Sequence, residues 1–149
     1  MHDLVREVAL LIANKEILGV NTSKKNEMTM LEKGKNIKYL LCVGKSKNLF
    51  SSQFDGSKLD ILIVYLNDDD CMEVPNSFFE NIDGLRVLYL SAITYGKVAL
   101  SLPQSIQLLT NIRSLYLEEF FLGDISISEP YNALRVSKLV GCAMDELPR

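Results

Sequence analysis

The chain has no tryptophan, one histidine and three cysteines in 149 residues. Each scarcity removes a class of function. The one histidine is His2, beside the N-terminus. We therefore expect no Ser-His-Asp or Cys-His chemistry, and no enzyme. Cys42, Cys71 and Cys142 are far apart, odd in number and free of any Cys-x-x-Cys spacing. They indicate neither a disulfide framework nor a zinc site. We read them as reduced packing cysteines of a cytoplasmic protein. No run approaches the ~20 apolar residues that span a bilayer, so no membrane span is expected. An export signal is also excluded: the apolar core 8–13 is short, with Asp3 and Glu7 before it or at its edge. Asp68, Asp69 and Asp70 are consecutive and no EF-hand spacing follows them. They read as a solvated loop rather than a metal site, as do Glu118 and Glu119.

What the chain has is leucine, at 24 positions, within a hydrophobic content of 48%. Five segments repeat one pattern: IKYLLCVGK from Ile37, LDILIVYLN from Leu59, LRVLYLSAI from Leu85, IRSLYLEEF from Ile112 and LRVSKLVGC from Leu134. Each fits L-x-x-L-x-L, with other apolar residues and one serine allowed at the leucine positions. The starts lie 22, 26, 27 and 22 residues apart, inside the leucine-rich-repeat range. Asn67 and Cys142 stand where that repeat places Asn or Cys. Between the segments, Pro75-x-x-Phe78-x-x-x-Ile82 and Pro103-x-x-Ile106-x-x-Leu109 share a Pro-x-x-apolar spacing.

One such unit cannot bury its apolar side alone, but stacked units build a continuous core. The expected class is α/β. It is a leucine-rich-repeat solenoid of about five repeats with a parallel sheet on its concave face. The N-terminal stretch differs. Leu4, Val8, Leu11 and Ile12 lie on one helical face, Asp3 suits the N-cap, and Gly19 suits the C-cap. Residues 19–35 read as a loop with at most a short strand around 28–31.

Charge divides the chain. Residues 1–58 carry net +4 and residues 59–149 net −7. The lysines of the first part (Lys24, Lys25, Lys33, Lys35, Lys38, Lys45, Lys47) lack interleaved aromatics and arginines, so no nucleic-acid partner is expected.

The opening MHDLVREVALLIA followed by such repeats resembles plant intracellular disease-resistance receptors. These are the nucleotide-binding leucine-rich-repeat proteins, and the resemblance is to the coiled-coil class. The segments LPQSIQLLTNIRSLYLEEFFLGDISI and VPNSFFENIDGLRVLYLS resemble that family's repeats. The resemblance covers essentially the whole chain. It implies that residues 1–34 are the C-terminal remnant of a nucleotide-binding module, one amphipathic helix left from its winged-helix part. Residues 35–149 would be the repeats. It also implies that His2 contacts the phosphates of ADP in the intact receptor while Asp3 supports the loop. The chain is then expected to be a fragment that starts at the Met-His-Asp motif, with an open and poorly capped C-terminal end. The family's phosphate-binding loop is missing. Gly44-Lys45-Ser46 imitates its tail, but the earlier glycine falls at Tyr39. We expect a turn there, and no ADP, ATP or other cofactor bound by this chain alone.

The candidate site is the outward face of the strands, where alternate residues point away from the core. The expected protein-binding residues are Tyr65, Tyr89, Ser91, Tyr116, Glu118 and Lys138. One expected column is Leu41, Ile63, Tyr89, Tyr116, Lys138. So apolar a face marks a contact surface. The occupant is either a partner, a pathogen effector or guarded host protein, or the receptor's own nucleotide-binding module, which would restrain the switch. A stand-alone repeat adaptor is the competing architecture.

Overall fold

The structure is a computed structural model. It describes residues 6, 9–10, 17–67, 73–92, 100–118, 120–123, 136–140 and 143–144. Side chains are not described at 100–101 or after residue 118.

Six strands make the main sheet: β1 (Leu18–Asn21), β2 (Tyr39–Gly44), β3 (Ile61–Leu66), β4 (Val87–Ala92), β6 (Ser114–Glu118) and β8 (Val136–Val140). All neighbours are parallel, in the order β1-β2-β3-β4-β6-β8. Three short strands, β5 (Leu100–Ser101), β7 (Phe120–Gly123) and β9 (Ala143–Met144), form a second parallel sheet. The chain is therefore α/β, and each turn adds one strand to the edge of the last.

Every expected segment contains a strand, and each strand starts two residues after the first apolar position of its pattern. Ile37, Leu59, Leu85 and Ile112 are buried immediately before the strands. The backbone then repeats one linkage. The Lys38 carbonyl accepts from Asp60 N–H (2.8 Å) and Ile61 N–H (3.2 Å). The Asp60 carbonyl accepts from Arg86 and Val87 (3.0 and 3.1 Å), and the Arg86 carbonyl from Arg113 and Ser114 (2.7 and 3.2 Å). This shared acceptor fixes the register of each strand on the one before it. Inward residues Leu40, Cys42, Leu62, Val64, Leu66, Leu88, Leu90, Ala92, Leu115 and Leu117 join one core.

The return segments close that core. Pro75 and Pro103, both extended at φ −76° and −75°, precede helix α3 (Asn76–Glu80) and a 3-10 turn (Gln104–Leu108). Phe78, Ile82, Ile106 and Leu109 from these elements are buried. Helix α2 (Ser46–Phe50) covers the preceding unit. Phe50 meets Phe78 edge-on, ring centroids 5.0 Å apart, and Phe79 stands 5.4 Å from Phe78. Side-chain amides stitch the same layer. Asn81 Nδ2 donates to the Phe54 carbonyl (2.9 Å), and Asn48 Nδ2 to the Thr22 carbonyl (2.7 Å).

The N-terminal reading needs correction. Residues 19–35 are not a loop. They hold most of β1 and a nine-residue helix, α1 (Lys25–Lys33). Gly19 is not a helix cap but a strand residue paired with Leu41. The physical reason is tertiary: β1 is recruited by the exposed edge of β2, which local pattern does not encode. Helix α1 buries Leu31 fully and Met28 partly, too thin a stripe to announce an amphipathic helix. The sheet thus begins at Leu18, before the expected boundary at 34/35. Arg6, Ala9 and Leu10 are helical. His2, Asp3, the Asp68–Asp70 loop, Glu119, Cys71, Cys142 and the C-terminal Leu147-Pro148 lie outside the described residues.

Candidate protein-binding face

A strand buried on one face presents every second residue on the other. Because the strands are parallel and in register, those residues line up in rows. One row is Leu41, Ile63, Tyr89, Tyr116 and Lys138, as expected from the repeat. The next runs Val43, Tyr65, Ser91, Glu118 and Val140. The first row of the face is Tyr39, Ile61, Val87, Ser114 and Val136. The site residues from Tyr65 to Lys138 thus occupy two adjacent rows. The side chain of Lys138 is not among those described.

The face is less open than its composition suggests. Ile61 and Ile63 are only 2% and 4% exposed and make a second apolar cluster with Ile17, Tyr39, Leu41, Val87 and Tyr89. Ser91 and Tyr116 are buried, and Tyr89 and Glu118 are half-buried. Tyr65, at 41%, and Val43, at 38%, are the exposed large apolar side chains of this face among the described residues. Neighbouring side chains stand one strand apart, and the large ones cover each other.

The tyrosines do so by ring contact. Tyr89 and Tyr116 stack with centroids 4.2 Å apart and planes 2° from parallel. Tyr65 leans on Tyr89 at 5.2 Å and 48°. Burial first, then hydrogen bonding with Tyr65 and Tyr116, raises the Tyr89 phenol above its ordinary range. In the outer row, Ser91 Oγ–H donates to Glu118 Oε1 at 2.6 Å. A carboxylate is thus fixed in the row next to that of Tyr89 and Tyr116.

No family model matches the chain, and no curated protein or solved structure matches it. What the face can do rests on its own chemistry: aromatic area, hydroxyl groups and one fixed carboxylate.

The remaining candidates are structural. Gly44 ends β2 at φ 131°, Lys45 follows, and Ser46 opens α2 fully buried. Gly44-Lys45-Ser46 is therefore a strand-to-helix turn, as expected. Cβ on Gly44 would stand 2.5 Å from Thr22 Oγ1, so the turn packs closely against the residue that follows β1. The Cys42 thiol is buried, and desolvation pushes its pKa up to about 12, which suits packing. Among the described residues, no group of three or more His, Cys, Asp or Glu is placed to hold a metal. No described helix is long and apolar enough to cross a membrane.

Sequence reasoning missed the strand-entry ion pair. Asp60 and Arg86 form a two-point contact, Nε to Oδ1 at 2.5 Å and Nη2 to Oδ2 at 2.8 Å. Both occupy the second position of their L-x-x-L-x-L segments, and opposite charges at equivalent positions of successive units are the signal that could have found them.

Proposed function

We propose that the chain is a leucine-rich-repeat solenoid whose outward, concave sheet face binds protein, as the recognition module of a plant intracellular immune receptor. The carrying observation is the aromatic cluster Tyr65, Tyr89 and Tyr116, with the Ser91–Glu118 pair in the same row as Tyr65. Tyrosine suits this role because it offers apolar area, a hydroxyl and little conformational entropy to lose. The family resemblance of the repeats directs the reading to plant defence: an effector or a guarded host protein as partner, in the cytoplasm, with no catalysis and no cofactor of the chain's own. The half-buried Tyr39 and Leu41, nearer the N-terminal end of the sheet, suit an intramolecular contact with a nucleotide-binding module, which holds the receptor at rest.

The test is Tyr65→Ser and Tyr89→Phe in the full-length receptor, expressed in leaf tissue. Loss of the response with a quiet background supports partner recognition. A response without any trigger supports the restraining contact. Unchanged behaviour of both variants, at equal protein levels, overturns the assignment of this face.

A further inference from the structure

The outer row of the face has a shape and a charge that select among partners. Ser91 is small and stands between two large side chains, Tyr65 on β3 and Glu118 on β6. Adjacent strands lie ~4.8 Å apart, so the backbones that carry Tyr65 and Glu118 are about two strand spacings apart. The Glu118 side chain reaches back over the buried Ser91, whose hydroxyl donates to Oε1, and leaves the rest of the carboxylate facing Tyr65. The inner rim of this notch is the Tyr89 ring, against which Tyr65 leans. Across β2, the same row ends on exposed Val43.

The charge of the notch is not neutralised within the described residues. Their ion pairs are Lys24–Glu27 and Asp60–Arg86, both away from it. Glu118 keeps its carboxylate half-buried, where water and salt screen it less than on an open surface. Residues 59–149 carry net −7. An acidic partner is repelled by this half of the chain, and a basic one is drawn to it.

We infer that the notch receives an arginine side chain from an extended segment of a protein partner. This rests on the protein-binding reading of the face and names the chemistry it selects. A planar guanidinium donates to a carboxylate and lies against a ring face at the same time, which an ammonium does less well. The Glu118 carboxylate takes the donors, and the Tyr65 ring covers the guanidinium plane. An apolar residue beside the arginine rests on Val43 and the outer edge of Tyr65. The face then reads a segment with one apolar and one basic side chain laid across the strands.

The test uses the full chain, labelled with 15N, and three otherwise identical hexapeptides. They pair leucine with arginine, with citrulline, or with glutamate. Citrulline keeps the shape of arginine and removes its charge. The arginine peptide is expected to shift the amides of Tyr65, Ser91 and Glu118 and to bind about tenfold tighter than the citrulline peptide, as a charge-assisted contact requires. Glu118→Gln, which keeps an acceptor for Ser91, is expected to abolish that difference. Lys25→Ala, at the exposed start of α1 and away from this face, is expected to leave it intact. Equal binding of the arginine and citrulline peptides at this face overturns the arginine notch and leaves protein binding standing. Loss of that difference in Lys25→Ala overturns the role given to Glu118. Binding of no peptide overturns the notch, and when joined to unchanged behaviour of the Tyr65→Ser receptor it overturns the binding face as well.

Discussion

Tyr89 and Tyr116 lie one strand apart with their rings parallel and 4.2 Å between centroids, closer than strand spacing alone sets them. The contact ties two successive repeat units together on the side opposite the main core. It accounts for why Tyr116 is buried on a face the sequence pattern assigns to solvent. Replacing Tyr89 with alanine is expected to destabilise the fold by about 1–2 kcal/mol, the stacking plus part of the lost area. Urea melts of the variant and of Tyr89→Phe check this. Phenylalanine keeps the stack, so its loss should be smaller.

The raised Tyr89 phenol predicts a pH dependence. A group whose pKa is higher folded than unfolded stabilises the fold fully below the unfolded value and loses that contribution as pH rises. For Tyr89 the ordinary value is 10.0 and the folded value lies above it. Stability should therefore fall as pH is raised beyond 10, and part of that fall should vanish in Tyr89→Phe. Urea midpoints across the alkaline range measure it. Tyrosinate absorbance of the folded chain should show one phenol ionising above the ordinary range, and that step should vanish in Tyr89→Phe.

The Asp60–Arg86 pair is a second link between units. Asp60 is 18% exposed and Arg86 54%, so solvent weakens the attraction, while the two-point geometry strengthens it. A double-mutant cycle with Asp60→Asn and Arg86→Gln is expected to give a coupling of about 0.5–1 kcal/mol. Raising the salt concentration should shrink it. A coupling that does not respond to salt would show the pair acting through packing instead.

The turn at Gly44 tolerates no side chain. Its φ of 131° is open to glycine, and an added Cβ would press on Thr22 Oγ1. Thr22 cannot swing away freely, because Oγ1 donates to the Lys45 carbonyl at 3.0 Å. Gly44→Ala is expected to cost at least 1–3 kcal/mol, roughly the strain of such a backbone plus the lost contact. Ser51→Ala, on the exposed end of α2, serves as the neutral comparison in a thermal melt.

How far the sequence discloses this structure depends on which forces set each element. The main-sheet strands β2, β3, β4, β6 and β8 are readable because each segment carries the leucine spacing of the repeat, and before the first four a buried residue stands two places ahead. The rows of the face follow from period two and parallel stacking, so Tyr89, Tyr116 and Lys138 could be aligned from spacing alone. β1 is different: LGVN has a single buried residue, Val20, and becomes a strand by pairing with β2. Exposure is different again. That Ile63 and Tyr116 are covered while Tyr65 is open depends on which side chains stand one unit away, and a single segment holds no record of that.

β1 is also where the described sheet ends, and its outward backbone is partly capped. Thr22 N–H points inward to the Val43 carbonyl at 2.9 Å, so the preceding amide, Asn21 N–H, points the other way. Glu27 Oε1 accepts it at 3.0 Å from the first turn of α1. Open strand edges invite pairing with other chains, and a charged side chain on the edge opposes it. Glu27→Ala frees the Asn21 amide at the cost of one charge-assisted hydrogen bond, a loss of about 1–2 kcal/mol where it is partly buried. Two readouts separate the roles of Glu27. Faster hydrogen exchange at Asn21 with an unchanged monomer assigns it to local stability alone. Faster exchange together with concentration-dependent self-association in light scattering, which we expect, assigns it to guarding the edge. Unchanged exchange at Asn21 would show that the carboxylate does not hold that amide in solution.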